Sequence, residues 1–255
     1  MFIERMLLPF LKPKRLKTLP NLTAPTLAVD VHAHVLPSLD DGPDTVEESL
    51  RIIEGLVAQG VQKIIATPHV MGNYYRNTPE LIEKQAQLMR QVIRQREIPV
   101  TLEVAAEYYL DEHLMEQLRQ EIPLITFGKQ QYLLFETPFI QEPPELDECI
   151  KLMIKQGYRP VLAHPERYLY LQRSFELTRE IHRRGVLFQI NINSFTGYYS
   201  RQTQLFAEVM TDFHIVDFLA SDIHRLNQLE LLAISRRQPY FLKNLNYGVL
   251  NDTLM

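Results

Sequence analysis

The chain has 255 residues, of which 45% are hydrophobic and 23% are charged, and its formal net charge is −4. This length and composition fit one large α/β domain, and the acidic balance excludes the basic surface that nucleic-acid binding requires. A single cysteine, Cys149, excludes an internal disulfide and favours a reducing, cytoplasmic environment. No apolar run reaches the roughly 18 residues that a membrane span needs.

Residues 1–26 differ in composition from the rest of the chain. The segment contains several lysines and arginines but only one acidic residue, Glu4, and apolar side chains are interspersed among them. Two interpretations fit this pattern: a basic amphipathic segment that makes peripheral contact with an anionic membrane, or a leader that is flexible or packed on the domain. We therefore expect a basic N-terminal extension over residues 1–26 and one domain over residues 27–255.

The stretch over residues 27–43, LAVDVHAHVLPSLDDGP, concentrates potential metal ligands at its centre. Side chains alternate along a strand, so Asp30, His32 and His34 are expected to point to one face. Two histidines at this spacing can share one divalent metal, and the following Asp-Asp-Gly turn adds acidic groups. The alternative is a pair of histidines satisfied in the core or at the surface, but the combined pattern favours a metal site.

From residue 27 onward, apolar strands alternate with amphipathic helices. After the first strand, further strands are expected near residues 63–67, 101–106, 132–135, 160–163, 186–190 and 216–220. Helices are expected near residues 44–60, 78–96, 112–120, 144–156, 175–184, 203–211 and 228–237. Seven strand–helix units imply a parallel sheet with right-handed crossovers, and a barrel is the expected closure.

Nearly every predicted strand ends in a side chain that can bind a metal. The set comprises His32, His34, His69, Glu107, Glu136, His164, Asp222 and His224. Barrel enzymes place their chemistry at this end of the strands, so we expect the side chains to converge. Mixed histidine and carboxylate ligands suit Mn, Fe or Zn, and their number predicts two or three ions bridged by a carboxylate such as Glu107. The other histidines, His113, His182 and His214, are interpreted as structural or solvated.

Arg167 follows His164 by three residues, which places its guanidinium group near the predicted cluster. A planar guanidinium can bind phosphate oxygens, and clustered metal ions can activate water for attack on a phosphoryl group. The alternative is a surface salt bridge between Arg167 and Glu166. The first interpretation predicts hydrolysis of a phosphate ester.

Six short motifs occur in order along the chain: Asp-Val-His-Ala-His, Asp-Asp-Gly-Pro, Thr-Pro-His, Ala-Glu-Tyr-Tyr, Ala-His-Pro-Glu-Arg-Tyr and Ala-Ser-Asp-Ile-His. Over residues 27–235 this series resembles the PHP (polymerase and histidinol phosphatase) superfamily, in particular its manganese-dependent protein-tyrosine phosphatases of the CpsB/CapC type. These are linked to capsule and exopolysaccharide synthesis. The resemblance implies a distorted TIM-like (β/α)7 barrel for the phosphatase domain over residues 27–255.

The resemblance also implies roles for individual residues. The implied metal ligands are His32, His34, Asp41, His69, Glu107, Glu136, His164, Asp222 and His224. Arg167 matches the arginine that binds the substrate phosphate and acts in catalysis with Asp222 and His224. Some relatives carry a second arginine beyond the last histidine; here the neighbouring residue is Arg225, and the expected later position is apolar.

The implied cofactors are two or three divalent ions, with Mn favoured over Fe or Zn, and the implied nucleophile is a bridging hydroxide rather than a cysteine. The implied partner is a phosphotyrosine protein, in particular a bacterial tyrosine kinase of polysaccharide export. One rival is a small-molecule phosphomonoesterase such as a histidinol-phosphate phosphatase. Another is a weakly active metal-binding adaptor that docks on a membrane complex through residues 1–26, although the intact ligand set argues against it.

Aromatic residues are frequent in the loops that follow the predicted strands. They are Tyr74, Tyr75, Tyr108, Tyr109, Phe139, Tyr168, Tyr170, Phe195, Tyr198 and Tyr199. An aromatic rim beside a phosphate-binding centre would provide walls for the phenyl ring of phosphotyrosine. The alternative is that these rings pack the loops onto the barrel.

Overall fold

The structure is a computed structural model that describes residues 27–255, so the extension predicted at residues 1–26 lies outside the described residues. Each predicted strand forms close to its expected position. The strands are β1 Val29–Ala33, β2 Lys63–Ala66, β3 His69–Val70, β4 Thr101–Val104, β5 Glu107–Tyr109, β6 Tyr132–Glu136, β7 Arg159–Ala163, β8 Leu187–Asn191 and β9 Phe218–Ala220. The short strands β3 and β5 were not predicted as separate elements.

The seven predicted helices also form. The α-helices are α1 Val46–Ala58, α2 Pro79–Gln95, α3 Glu112–Arg119, α4 Leu146–Lys155, α5 Leu169–Arg173, α6 Phe175–Arg183, α7 Arg201–Asp212, α8 Gln228–Ser235 and α9 Pro239–Tyr247. Thr45 and Thr78 cap α1 and α2 by accepting hydrogen bonds from backbone N–H groups in the first turn. Two helices are not predicted by the sequence pattern: α5, which is little more than one turn long, and α9, which begins at Pro239.

The strands pair in parallel and form two sheets, one in the order β1-β2-β4 and one in the order β3-β5-β6-β7-β8-β9. The expected α/β class with parallel strands is therefore confirmed. The hydrogen bonding does not assign one closed seven-stranded barrel, so that part of the expectation stays a prediction. Pro68 lies between β2 and β3, where its missing N–H interrupts the ladder of hydrogen bonds.

Backbone hydrogen bonds also connect the two sheets. On one side, the N–H of Glu107 donates to the carbonyl oxygen of Pro68 at 3.1 Å. On the other side, the N–H of His34 donates to Ile223 at 3.0 Å, and the N–H of Asp222 donates to His32 at 2.9 Å. The carboxyl ends of β1 and β9 are thereby held together, which brings the segments that follow them into contact.

An apolar cluster fills the opposite end of the sheets, where the strands begin. The ring of Phe218 makes edge-to-face contacts with Phe127 and Tyr132, at centroid distances of 5.8 and 5.1 Å. Leu254, in the C-terminal 3-10 helix Leu250–Leu254, packs into the same cluster. Burial of this end against apolar partners leaves the carboxyl ends of the strands for polar side chains. None of the described helices combines the length and the apolar character needed to cross a membrane.

Candidate metal centre

The predicted ligands at the strand ends lie together in one mostly buried cluster. Seven of them are buried, namely His32, His34, His69, Glu107, Glu136, His164 and Asp222. His224 is half-buried, and Asp41 is exposed at the edge of the cluster. Asp30, expected on the same face as His32 and His34, does not belong to the groups of converging ligand atoms. Its carboxylate instead accepts hydrogen bonds from the backbone N–H groups of His32 and Ser221.

His32 and His34 direct one ring nitrogen each toward the same two carboxylates. Their Nε2 atoms are 3.1 Å apart. They lie 3.1 and 3.4 Å from Glu107 Oε2, and 3.4 and 3.6 Å from Asp222 Oδ1. Two imidazole nitrogens and two carboxylate oxygens therefore surround one small volume, which is the donor set that Mn, Fe and Zn accept in proteins.

Glu107 is shared with a second group of ligands. His69 Nδ1 lies 3.0 Å from Glu107 Oε2 and 3.1 Å from Glu136 Oε1. The other Glu107 oxygen, Oε1, lies 3.0 Å from His164 Nε2. Glu107 thus contacts imidazoles on two sides, which is the arrangement expected of a bridging carboxylate.

A third group lies at the exposed edge. Asp41 Oδ1 is 3.4 Å from His224 Nε2 and 3.5 Å from His69 Nε2. The ring of His224 stacks on His34 with centroids 3.8 Å apart. His34 and His69 each belong to two groups, yet a neutral imidazole offers one free nitrogen. The three groups are therefore overlapping parts of one centre and not three independent sites.

The protein atoms themselves test whether metal ions fit this cluster. Four buried atoms, His69 Nδ1, Glu107 Oε2, Glu136 Oε1 and His164 Nδ1, have no hydrogen-bond partner within residues 27–255. Buried polar atoms are normally satisfied, and leaving them unpaired is costly. Among them, His69 Nδ1 lies 3.0 Å from Glu107 Oε2 and 3.1 Å from Glu136 Oε1 without hydrogen-bond geometry. These short separations are explained if the three atoms are metal ligands, so the donor set fits divalent cations.

The electrostatic field of the cluster favours cations as well. Burial lowers the pKa of His32, but the charges of Glu107 and Asp222 raise it more, and the pKa lies above its ordinary value. Burial also lowers the pKa of His34, but the negative charge of Asp40, together with hydrogen bonds to Asp40 and Glu107, raises it more, and the pKa rises to about 10. The carboxylates therefore stabilise positive charge at the position where the ligand atoms converge.

Asp40 orients the ligands of this centre, a role that the sequence alone does not predict. Its carboxylate lies 2.7 Å from His34 Nδ1 and accepts hydrogen bonds from the N–H groups of His69 and Gly42. Such contacts fix which ring nitrogen faces a metal. A Cβ at Gly42 would lie 2.9 Å from Asp40 Oδ1, so the turn requires glycine. Asp40 and Asp41 are adjacent in the sequence, so the sequence does not show which of them contacts His34 and which lies at the exposed edge.

Two residues of the cluster have unusual backbone conformations. His164 and Asp222 adopt left-handed φ values of 38° and 49°. Such conformations cost about 1–3 kcal/mol for residues other than glycine and are concentrated at functional sites. Here His164 is the first residue after β7 and Asp222 is the second residue after β9, where the chain turns each side chain toward the cluster.

Arg167 lies beside the cluster and points toward it. One of its terminal nitrogens is 3.3 Å from Asp222 Oδ2, and its guanidinium group lies over the rings of Phe139 and Tyr199 at 4.8 and 4.4 Å. Glu166 is fully buried and accepts hydrogen bonds from neighbouring groups, including the Ser194 hydroxyl. The alternative of a surface salt bridge between Arg167 and Glu166 is therefore wrong.

A cavity of about 630 Å3 opens onto the cluster and onto Arg167. Phe139, Tyr198 and Tyr199 supply aromatic walls. Other aromatic residues of the predicted rim are buried instead and pack the loops, namely Tyr108, Tyr168, Tyr170 and Phe195. The prediction of an aromatic rim thus applies to the first three residues, and the packing alternative applies to the four buried ones. Tyr74 is exposed and Tyr75 and Tyr109 are half-buried, and none of these three lines the cavity.

Arg225 lines a different cavity from Arg167. Its guanidinium group donates a hydrogen bond to the carbonyl oxygen of Gly42 at 2.8 Å, and it lines a separate cavity of about 310 Å3. The residues around the larger cavity do not include it. A role for Arg225 in substrate binding therefore stays a prediction.

Comparisons with known proteins agree with one another. The sequence matches the family described as "Capsular polysaccharide synthesis, CpsB/CapC" over residues 28–245. It is 28% identical to the tyrosine-protein phosphatase YwqE of Bacillus subtilis over 198 residues, which cover 78% of each chain. It is also 28% identical to the tyrosine-protein phosphatase CpsB of Streptococcus agalactiae, with 78% of this chain and 84% of that protein covered.

A solved structure shows the same fold. It belongs to a study of YwqE from Bacillus subtilis and CpsB from Streptococcus pneumoniae, which are described there as unique metal-dependent tyrosine phosphatases. The TM-score is 0.77 at 27% sequence identity, and the similarity covers 89% of this chain and 90% of that one. Since the family match covers most of the sequence and the fold agrees, the chain belongs to the CpsB/CapC family of capsular polysaccharide synthesis.

Proposed function

We propose that this chain is a metal-dependent protein-tyrosine phosphatase that holds two or three divalent ions, with Mn the best suited. The observation that carries the proposal is the convergence of unpaired, buried imidazole and carboxylate atoms beside a cavity that contains Arg167. The names of the relatives support the same activity. We further propose that the two sheets form one distorted TIM-like barrel, supported by the backbone hydrogen bonds that connect them.

In this proposal, the metal ligands are the nine residues assigned by resemblance, from His32 to His224. When bound, the ions would supply an activated water molecule and positive charge for the phosphoryl group. Arg167 would bind phosphate oxygens through its planar guanidinium group. Asp222 and the rings of Phe139 and Tyr199 hold that group in place, so little conformational freedom would be lost when the substrate binds.

The proposed substrate is phosphotyrosine on a protein, and the proposed protein is a bacterial tyrosine kinase of polysaccharide synthesis. The aromatic walls of the cavity support a phenyl ring as the group that enters it. We also propose that the enzyme acts in the cytoplasm, with residues 1–26 available for contact with a membrane. The basic and apolar composition of that segment supports this last point.

Removal of metal ions should abolish activity on a chromogenic phosphate ester. Mn should restore the activity of the chelator-treated protein better than Ca, because Ca prefers ligand sets made only of oxygen. The measurement is turnover alongside elemental analysis of the same samples. Full activity in protein that the analysis shows to be free of metal would contradict a metal-dependent reaction.

Substrate preference separates the proposed activity from that of a small-molecule phosphatase. We expect kcat/KM on a phosphotyrosine peptide to exceed that on histidinol phosphate by at least about tenfold, which equals about 1.4 kcal/mol of transition-state stabilisation. Both substrates would be assayed with Mn at one pH. Equal kcat/KM values, or a preference for histidinol phosphate, would indicate a small-molecule phosphatase. If the Mn-loaded protein turns over neither substrate, the alternative of a weakly active metal-binding adaptor is favoured.

Replacement of Cys149 by serine should leave turnover within about twofold of the unmodified enzyme. Cys149 is buried in α4, and burial raises the pKa of its thiol to about 12, so it is a poor nucleophile. Turnover would be measured well below the melting temperature, since a buried hydroxyl group costs stability. Loss of activity in a folded variant would show that the nucleophile has been misassigned.

A further inference from the structure

Strand β8 ends differently from its neighbours. The strands on either side, β7 and β9, are followed by the candidate ligands His164 and Asp222, whereas β8 carries two amides, Gln189 and Asn191. Both amide side chains are fully buried. They are two residues apart on one strand, so they lie on the same face. Buried amides need several hydrogen bonds, and here those bonds lead to the metal centre.

The two amides connect two candidate ligands through a continuous chain of hydrogen bonds. Gln189 Oε1 lies 2.7 Å from His32 Nδ1. Gln189 Nε2 donates to Asn191 Oδ1 at 2.9 Å. Asn191 Nδ2 donates to Asp222 Oδ2 at 2.6 Å and also to the Tyr199 hydroxyl at 3.0 Å. We call this chain, from His32 through both amides to Asp222, the amide relay.

Chemistry fixes the direction of each bond in the amide relay. An ionised Asp222 can only accept hydrogen bonds, so the NH2 group of Asn191 must face it. The oxygen of Asn191 then faces Gln189, whose NH2 group must be the donor. The oxygen of Gln189 is left to face His32, so Nδ1 of that ring carries the proton. His32 Nε2 therefore presents its lone pair toward Glu107 and Asp222.

We infer that Gln189 and Asn191 are positioning residues that hold His32 and Asp222 in the orientation required for binding a metal ion. Gln189 fixes the tautomer of His32, and Asn191 holds Asp222 Oδ2 so that Oδ1 faces the imidazoles. Because each amide orients the next, the two ligands are coupled through β8. This inference rests on the proposed metal centre.

The test measures Mn affinity in two variants of similar side-chain shape, Gln189→Met and Asn191→Leu. Each removes the hydrogen bonds of one amide, and each should weaken Mn binding by about 10- to 100-fold, as loss of an outer partner of a metal ligand does. The double variant should bind Mn about as weakly as either single variant, because breaking one bond already disconnects the amide relay. If the double variant instead loses Mn affinity by the product of the two single losses, the two amides act independently and the coupling is overturned.

A matched control separates positioning from stability. Asn244 is also a buried amide with side-chain hydrogen bonds, but it lies in α9 and contacts Thr211 and Tyr240. Asn244→Leu should lower the melting temperature and leave Mn affinity unchanged. In Zn-loaded protein, Asn191→Leu should also shift the NMR resonance of the His32 Nδ1 proton, because residue 191 is connected to that ring through Gln189. An unshifted resonance would overturn the inference. If Asn191→Leu does not fold, the same measurement on Gln189→Met serves as the test.

The failure of this inference is distinguishable from the failure of the proposed function. If the unmodified protein binds no Mn or Zn, the metal centre fails and the inference fails with it. If the unmodified protein binds Mn and both variants bind it equally well, only the role of the amide relay is overturned.

Discussion

Replacing Glu107 by glutamine should release metal from the protein and lower turnover by on the order of a hundredfold or more. Glu107 contacts four imidazoles, those of His32, His34, His69 and His164, so its negative charge serves the whole cluster. The amide has nearly the same shape but carries no charge and offers one acceptor oxygen in place of two. Elemental analysis and steady-state kinetics on one preparation would show whether metal content and activity fall together.

Glu103→Gln is the matched control for this change. Glu103 lies on β4, the strand that precedes β5, and its side chain is partly exposed and pairs with Lys63 at 2.7 Å. Its replacement should alter neither metal content nor turnover. If Glu107→Gln retains its metal and its activity at the level of this control, Glu107 is not the carboxylate that bridges the metal ions.

The position of the site followed from the sequence because two simple rules apply to it. Parallel strands of an α/β fold place their carboxyl ends at one edge, and histidines or carboxylates follow almost every strand. His69 illustrates this: it follows strand β2, Lys63–Ala66, by a few residues, and it lies against Glu107, which comes from another strand. The order of the strands and the residues that follow them are enough to predict that contact.

Other features depend on geometry that the sequence does not encode locally. Asp40 and Asp41 are neighbours of the same type, and only the path of the turn directs one to His34 and the other to the exposed edge. The partner of Arg167 is 55 residues away along the chain, whereas the neighbour Glu166 was the simpler candidate. The division into two sheets likewise depends on the interruption at Pro68 and on details of strand pairing.

Replacing Arg167 by alanine should lower kcat/KM for a phosphotyrosine peptide by about ten- to a hundredfold while leaving the metal content intact. The loss of a hydrogen bond from a charged group costs about 1.5–3 kcal/mol, which corresponds to that range. Arg167→Lys should recover only part of the activity, because an ammonium group keeps the charge but loses the planar fork that binds two phosphate oxygens. Steady-state kinetics with saturating Mn would measure both variants.

Arg183→Ala provides the comparison for Arg167→Ala. Arg183 is exposed on α6 and pairs with Glu176 at 2.8 Å, so it represents a surface ion pair of little energetic consequence. Its removal should leave kcat/KM unchanged. Equal kcat/KM values for the two alanine variants would mean that Arg167 does not contact the substrate. A loss of metal from Arg167→Ala would instead assign the arginine to the support of Asp222, its partner at 3.3 Å.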